Sequence, residues 1–146
     1  MWRFAGITEQ RKAALRRAVD ARRLRQQRRW RGAMYLRGYE IECILKARLM
    51  ERYNCLTLAE LEQKLSRRSR RKIDLRTHSI EYLFELTGAR PRLVTAQGDR
   101  SALFAFQRVN RWTVDWRYDP AEGDEPNCTA FFESADRFVQ FISGSA

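Results

Sequence analysis

The sequence predicts an all-α fold: an antiparallel, up-and-down bundle of four main helices with one or two short helices. Apolar residues recur at helical spacing through most of the chain, and residues that cap helices precede several of these segments. No stretch alternates apolar and polar residues between turn signals, as a half-buried strand does. The 146 residues contain no repeat and no Pro/Gly/Ser-rich linker, so one domain is expected over residues 1–146.

The first expected helix runs from Glu9 to Trp30 and is unusually basic. Its apolar residues form only a narrow stripe on one side, which consists of Ala14, Leu15, Ala18, Ala21 and Leu24. Arginines cover the rest of the surface. A helix with this pattern is either solvated or lies against an anionic partner.

The second expected helix, Ala33 to Tyr53, differs in kind because it is apolar on nearly all sides. This pattern is typical of the central helix of a bundle. Tyr35 and Tyr39 are four residues apart and therefore share a face. Glu42 and Lys46 have the i,i+4 spacing of an ion pair, and in an apolar helix such a pair is expected to be buried, near a functional cleft.

Shorter helices are expected in the middle of the chain. Thr57 to Glu60 form a capping-box pattern before a short amphipathic helix. This helix leads into a basic turn, Arg67 to Lys72, which could hold phosphates or could simply be solvated. Ser79 is expected to cap a further short helix, and Gly88 to end it.

The last third of the chain predicts two more helices. Asp99 could cap the first, whose face consists of Leu103, Phe106, Val109 and Thr113. After an acidic loop, residues 115–125, the final helix presents a core face of Phe131, Ala135, Phe138 and Ile142. A short strand is conceivable only at Leu93 to Ala96. Trp112 and Trp116 are expected in the core.

The charge is concentrated in one half of the chain. Residues 1–76 carry 22 basic and 8 acidic residues, whereas residues 77–146 carry 7 basic and 10 acidic ones. A basic surface of this kind indicates a phosphate-rich partner. An acidic protein partner or general solubility would account for it equally well.

Several classes of protein are excluded by composition. Three scattered cysteines, no C-x-x-C pair and a single histidine argue against a disulfide framework and against a zinc site. No metal and no cofactor are expected, and no P-loop, dinucleotide-binding or nucleophile-elbow motif occurs. The chain lacks an apolar run of signal-peptide or membrane-span length, so a cytoplasmic protein is expected.

Three segments between Arg31 and Ile142 resemble motifs of the HEPN family (higher eukaryotes and prokaryotes nucleotide-binding domain). Residues 38–47, GYEIECILKA, resemble the family's G-F/Y-x-x-E-x-x-L-K-A helix. His78-Ser79-Ile80 resembles its entry to a short helix, and Arg117-Tyr118-Asp119-Pro120 resembles its R-Y-P-D/N loop. The three occur in the family's order. The range that contains them, Arg31 to Ile142, is about three-quarters of the chain.

The resemblance implies a helical bundle, often dimeric, with one of several activities. One branch of the family consists of metal-independent ribonucleases, including toxins, that carry an R-x4–6-H motif. Another branch lacks the motif and is associated with nucleotides or nucleotidyltransferase partners. In this chain Arg71 precedes His78 at the motif spacing, but in the basic connector; the later part of the bundle has Arg111 and Arg117, with arginine in the histidine's place.

Three hypotheses follow from these observations. The leading one is a non-catalytic module that binds a nucleotide or nucleic acid such as RNA, with candidate site residues Tyr35, Tyr39, Glu42, Lys46, Arg71, Arg76, Arg117 and Tyr118. The second is a metal-independent, toxin-like ribonuclease with His78 as acid or base beside Arg71 or Arg76. The third is an interaction module for a nucleotidyltransferase or an acidic antitoxin. By the resemblance, a homodimer is expected.

Overall fold

A computed structural model describes residues 6–94 and 100–144, and over these residues the protein is all-helical, as predicted. The elements, in chain order, are α1 (Ile7–Gln26), α2 (Trp30–Arg52), α3 (Leu58–Ser69), α4 (Ile80–Leu86), α5 (Arg90–Val94), α6 (Arg100–Val109), a 3-10 helix (Val114–Tyr118) and α7 (Glu125–Ser143). Within this part of the chain there is no strand, only one isolated bridge between Gly6 and Thr57.

The first two helices form a hairpin packed along its length. The turn between them is closed by the Arg29 backbone N–H, which donates to the Leu24 carbonyl at 2.8 Å, while Arg28 takes a left-handed conformation with φ 60°. Ala21 and Ala33 are fully buried between the helices, since small side chains allow close approach. Leu15 does not join this contact: it is 70% exposed, contrary to the predicted apolar stripe.

The central position predicted for the second helix is confirmed. Helix α2 contacts α1, α3, α4, α7 and the 3-10 helix. Its surface is less purely apolar than the sequence pattern indicates, because it also buries four acidic or basic side chains, namely Arg37, Glu40, Glu42 and Lys46. Arg37 pairs with both Glu40 and Asp136, and the latter pair joins α2 to α7.

The helix starts follow the capping signals of the sequence. The Thr57 hydroxyl accepts a hydrogen bond from the Glu60 backbone N–H, and the Ser79 hydroxyl accepts one from Tyr82. Helix α4 ends at Leu86, and Gly88 then takes φ +72°, a conformation that favours glycine. The predicted Asp99 cap lies outside the described residues.

The second half of the chain completes the core. The predicted face of α7 is confirmed, as Phe131, Ala135, Phe138 and Ile142 are all buried. The ring of Phe138 lies 5.2 Å from that of Phe84 and 5.5 Å from that of Phe106, so α7 meets α4 and α6 in an aromatic cluster. Trp112 is buried in the core, as predicted, whereas Trp116 is only partly buried and packs against the core through Phe131.

Two local predictions were wrong. Helix α6 ends at Val109 and does not continue to Thr113, because the Thr113 hydroxyl instead accepts from the Asp115 N–H and starts the 3-10 helix. Of the conceivable strand at Leu93 to Ala96, Leu93 and Val94 are helical, at the end of α5, and Thr95 and Ala96 lie outside the described residues. The arrangement of four main helices stays a prediction, because α3 and α6, with 12 and 10 residues, blur the division into long and short helices.

Candidate functional site

Two tyrosines of α2 and one tryptophan form the base of the site. Tyr35 and Tyr39 lie on one face of the helix, as their spacing predicts, with ring centroids 5.6 Å apart and nearly perpendicular planes. Trp112 stacks on Tyr35 at 6.1 Å and meets the edge of Tyr39 at 5.7 Å. Its indole N–H donates to the Tyr35 carbonyl at 3.0 Å. Both half-buried tyrosine rings are therefore held from below by one buried residue.

Gly38 explains how Trp112 comes so close to α2. A Cβ atom at position 38 would overlap the indole ring, so the absence of a side chain there makes room for it. Gly38 has an ordinary helical conformation, and its role is one of space. The glycine of the GYEIECILKA segment thus has a packing function beside the tyrosines.

One turn further along α2, Glu42 binds two cationic or cation-forming side chains. Its Oε1 accepts a hydrogen bond from Lys46 Nζ at 2.8 Å and lies 2.9 Å from His78 Nδ1. The predicted buried ion pair of Glu42 with Lys46 is confirmed, since the side chains are 2% and 9% exposed. The other carboxylate oxygen, Oε2, is buried and has no hydrogen-bond partner among the described residues.

His78 lies at the surface next to the tyrosines. It stands in the segment that leads into α4, directly before the Ser79 cap, and its side chain is 45% exposed. Its ring lies 5.8 Å from that of Tyr39. An ionised carboxylate can only accept hydrogen bonds, so His78 Nδ1 must carry the hydrogen that it donates to Glu42. The other ring nitrogen, Nε2, is then the one that can contact a ligand.

Two arginines border the same surface. The Arg17 guanidinium, from α1, lies 5.8 Å from the centre of the Tyr39 ring. The Arg117 guanidinium, from the 3-10 helix, lies 4.7 Å from the centre of the Tyr118 ring, which is 71% exposed. Tyr118 and, more weakly, Tyr35 raise the pKa of Arg117, so its positive charge is held beside both phenols. Arg17 was not among the residues predicted from the sequence.

Burial and the Glu42 charge also act on neighbouring acids. Burial, followed by the charge of Glu42, raises the pKa of the Tyr39 phenol above its usual value, while Arg117 opposes this shift. The same two causes raise the pKa of Cys43 to about 11. Both groups are therefore neutral near pH 7, and the Cys43 thiol is unsuited to act as a nucleophile.

These residues form one connected group, which we call the tyrosine–histidine cluster. Its members are Arg17, Tyr35, Tyr39, Glu42, Lys46, His78, Trp112, Arg117 and Tyr118. The sequence predicted seven of the nine. It missed Arg17, and it assigned Trp112 to the core without placing it under the tyrosines. The signal in the sequence was Gly38, which leaves room for a large side chain against α2 but does not say which one.

The two remaining predicted residues, Arg71 and Arg76, are exposed in the segment between α3 and α4. Arg71 is exposed in the connector after α3; its carbonyl accepts a hydrogen bond from the Ser69 hydroxyl at 3.3 Å, whereas its guanidinium forms no ion pair or hydrogen bond with the described residues. Arg76 is also exposed, and its backbone N–H donates to Asp74 Oδ1 at 2.9 Å. The predicted Arg67 to Lys72 turn is exposed, but it begins inside α3, where the Arg68 guanidinium lies 5.7 Å from the centre of the Tyr53 ring. The chain leaves the helix at Arg70, with φ 56°. No described contact links Arg71 to His78 in the way that an arginine–histidine motif would require.

Comparison of the chain with protein-family models, with curated proteins and with solved structures found no match in any of the three. Across residues 6–94 and 100–144, no three His, Cys, Asp or Glu side chains are grouped so as to hold a metal ion. None of the described helices is long and apolar enough to span a membrane.

The chemistry of the cluster follows from its parts. Tyrosine rings offer faces on which a planar base can stack, and guanidinium groups bind phosphate through paired hydrogen bonds. An imidazole is a group able to transfer protons, and the contact with Glu42 fixes the orientation of the His78 ring. The arrangement can therefore bind an aromatic, phosphate-bearing ligand, and it contains one group able to transfer a proton.

Proposed function

We propose that this protein binds single-stranded nucleic acid, RNA above all, at the tyrosine–histidine cluster. The observation that carries the proposal is the joining of aromatic rings and guanidinium groups on one surface: Arg17 lies over Tyr39, and Arg117 lies beside Tyr118. Bases stack on such rings without regard to sequence, while the arginines contact the phosphates. The resemblance to the HEPN family is consistent with this proposal.

The charge of the first half of the chain supports the same function. The arginines of α1 and of the turn after it point largely to solvent: Arg16, Arg22, Arg23, Arg28 and Arg29 are exposed and form no ion pair with any described residue. Arg17, on the same helix, reaches the cluster. A strand bound at the cluster would thus meet further positive charge along α1, which strengthens and accelerates binding. A homodimer and an acidic protein partner stay predictions of the resemblance.

The proposal is tested by the affinity of the purified chain for a fluorescent single-stranded RNA. Tyr118→Ala removes an exposed ring and should weaken binding by about fivefold or more, since one stacked base is worth about 1–3 kcal/mol. Arg117→Gln removes an exposed charge that can bind a phosphate and should also weaken binding by about fivefold or more. Arg92→Gln is the matched control, because it removes the same charge from α5, where Arg92 lies over Phe141. Equal affinities for all four proteins would refute the proposed site.

A second candidate function, a metal-independent ribonuclease, is favoured by the contact of His78 with Glu42. The carboxylate orients the imidazole through Nδ1, as the acid partner of a catalytic histidine does, so that Nε2 is the nitrogen placed to take a proton from a ribose hydroxyl. RNA incubated with the wild type in EDTA should then be cleaved, whereas His78→Ala should leave it intact. RNA that stays intact with the wild type would leave the binding function alone.

A further inference from the structure

A second basic groove lies between α6 and α7, outside the tyrosine–histidine cluster. Its volume is about 510 Å³, and the residues from α6 and the turn after it that matter here are Ser101, Phe104, Arg108 and Arg111. Helix α7 contributes Glu133 and Arg137. The first four are spaced by three, four and three residues, which places them on one side of the helix, opposite the face that α6 buries in the core.

The groove carries a net positive charge. Three guanidinium groups line it against a single carboxylate, that of Glu133. The side chains of Arg108 and Arg111 form no ion pair within residues 6–94 and 100–144. Arg137 spans the two helices, because its Nε donates to the Ser101 hydroxyl at 2.8 Å. An anion entering the groove would meet Arg108 and Arg111, whose charges no described carboxylate neutralises.

Phe104 is the aromatic component of the groove. It is 65% exposed, whereas Ala102, Ala105, Phe106 and Val109 of the same helix are buried. Most of the Phe104 ring is therefore outside the core and is accessible to a ligand in the groove. An exposed ring beside unpaired guanidinium groups repeats the composition of the tyrosine–histidine cluster.

The two surfaces are adjacent in the chain. Arg111 lines the groove, and the next residue, Trp112, packs beneath Tyr35 and Tyr39 of the cluster. Hydrogen bonds from both backbone N–H groups, Arg111 to the Arg108 carbonyl and Trp112 to the Val109 carbonyl, fix this turn. The groove and the cluster therefore meet at one turn of the backbone, that of Arg111 and Trp112.

We propose that the α6–α7 groove is a second subsite for the same nucleic-acid strand, in which Arg108 and Arg111 bind a phosphate and Phe104 stacks a base. The inference rests on the proposed function, since it extends the strand bound at the tyrosine–histidine cluster. It implies a footprint longer than the few nucleotides that the cluster alone can contact. Single-stranded binding surfaces of about 4–16 nucleotides are common.

The test compares two labelled RNAs, a trinucleotide and a strand of about twelve nucleotides. For the longer strand, Phe104→Ala and the double variant Arg108→Gln/Arg111→Gln should each lower the affinity about fivefold or more. For the trinucleotide, which the cluster holds, they should leave the affinity unchanged. Tyr118→Ala should lower the affinity for both RNAs, and Arg92→Gln serves as the charge control. The altered residues are exposed, and circular dichroism verifies that each variant is folded.

The possible outcomes separate the two proposals. In one outcome, the groove variants bind the longer strand with the affinity of the wild type, while Tyr118→Ala lowers the affinity for both RNAs. The second subsite is then refuted and the proposed function stands. If Tyr118→Ala changes neither affinity, the proposed function is refuted. The second subsite is then refuted as well, even if the groove variants weaken the longer strand, because the groove would bind RNA by itself.

Discussion

At the scale of single residues, Glu42 links the central helix to the segment that precedes α4. One of its oxygens binds both Lys46, on the same helix, and His78, which is 36 positions away in the sequence. The carboxylate is almost fully buried, so its charge is compensated by these neighbours and not by water. Stability and the orientation of His78 therefore depend on the same side chain.

Removal of the Glu42 charge should cost far more stability than removal of a surface charge. Glu42→Gln leaves Lys46 buried without its counter-ion, and breaking a buried pair in this way costs about 3–5 kcal/mol. Glu42→Gln/Lys46→Met removes both charges and should recover part of the loss. The measurement is urea unfolding, with Glu51→Gln as control, because its pair with Arg11 is more than half exposed and is worth at most about 1 kcal/mol. If Glu42→Gln and Glu51→Gln lower the free energy of unfolding by similar amounts, the pair of Glu42 with Lys46 is not a buried one.

Gly38 permits a second test at this scale. Gly38→Ala places a methyl group where the Trp112 indole lies, and such overpacking is expected to cost about 1–3 kcal/mol. It should also weaken RNA binding, because Trp112 supports Tyr35 and Tyr39.

Gly32→Ala is the matched control, since the same methyl group on the same helix would meet only a Leu24 methyl carbon at 3.3 Å. Here the higher helix propensity of alanine, about 1 kcal/mol, offsets the tighter contact. Denaturation midpoints of the two variants are compared with that of the wild type. If Gly38→Ala is no less stable than Gly32→Ala, Trp112 does not require the space that the structure assigns to it.

At the scale of helices, the sequence was informative where the signal is local. Caps at Thr57 and Ser79 and the apolar face of α7 depend on residues a few positions apart, so spacing alone reveals them. The same holds for Tyr35 with Tyr39 and for Glu42 with Lys46. The end of α6 was misplaced because Thr113 fits the helical period yet serves as the cap of the 3-10 helix.

Contacts between distant helices could not be predicted in this way. The Trp112 indole reaches the Tyr35 carbonyl across 77 positions, and the contact of His78 with Glu42 spans 36. Both contacts depend on how α2, α4 and the segment after α6 pack in three dimensions, which the periodicity of a single helix does not contain. The sequence therefore supplied most members of the candidate site without their geometry.

The start of α7 gives a prediction at the scale of one helix. The Asp124 carboxylate accepts the Asn127 backbone N–H at 2.8 Å and stands at the positive end of a 19-residue helix. Asp124→Ala should destabilise the protein by about 1 kcal/mol, as the loss of an N-cap does, whereas Asp124→Asn should retain most of the stability. Urea unfolding followed by circular dichroism measures both. If Asp124→Asn loses as much stability as Asp124→Ala, the charge of Asp124, and not its capping hydrogen bond, stabilises the helix.

At the scale of the whole molecule, charge and aromatic surface lead to one expected behaviour. The net charge of +11 includes the exposed arginines of α1, and binding of a polyanion releases its condensed counter-ions. The logarithm of the RNA association constant should therefore fall linearly with the logarithm of salt concentration. Each phosphate contact contributes a slope of about −0.7 for a single strand.

The change of slope in variants identifies which arginines contact phosphate. Arg117→Gln should make the slope shallower by about 0.7, because one contact is lost, and Arg92→Gln should leave it unchanged. Titrations at several salt concentrations give both values. A slope that does not change with Arg117→Gln would mean that this arginine makes no phosphate contact, and an affinity independent of salt would exclude a phosphate-backbone ligand altogether.

The most direct test of the central claim is photo-crosslinking of the intact chain to a single-stranded RNA that contains 4-thiouridine, with the crosslinked residues identified by mass spectrometry. Binding at the tyrosine–histidine cluster predicts crosslinks at Tyr39, His78 or Tyr118, the ring-bearing residues that border Arg17 and Arg117. Loss of the Tyr118 crosslink in Arg117→Gln would strengthen the assignment. Crosslinks confined to other parts of the chain, under conditions where the RNA is bound, would contradict it.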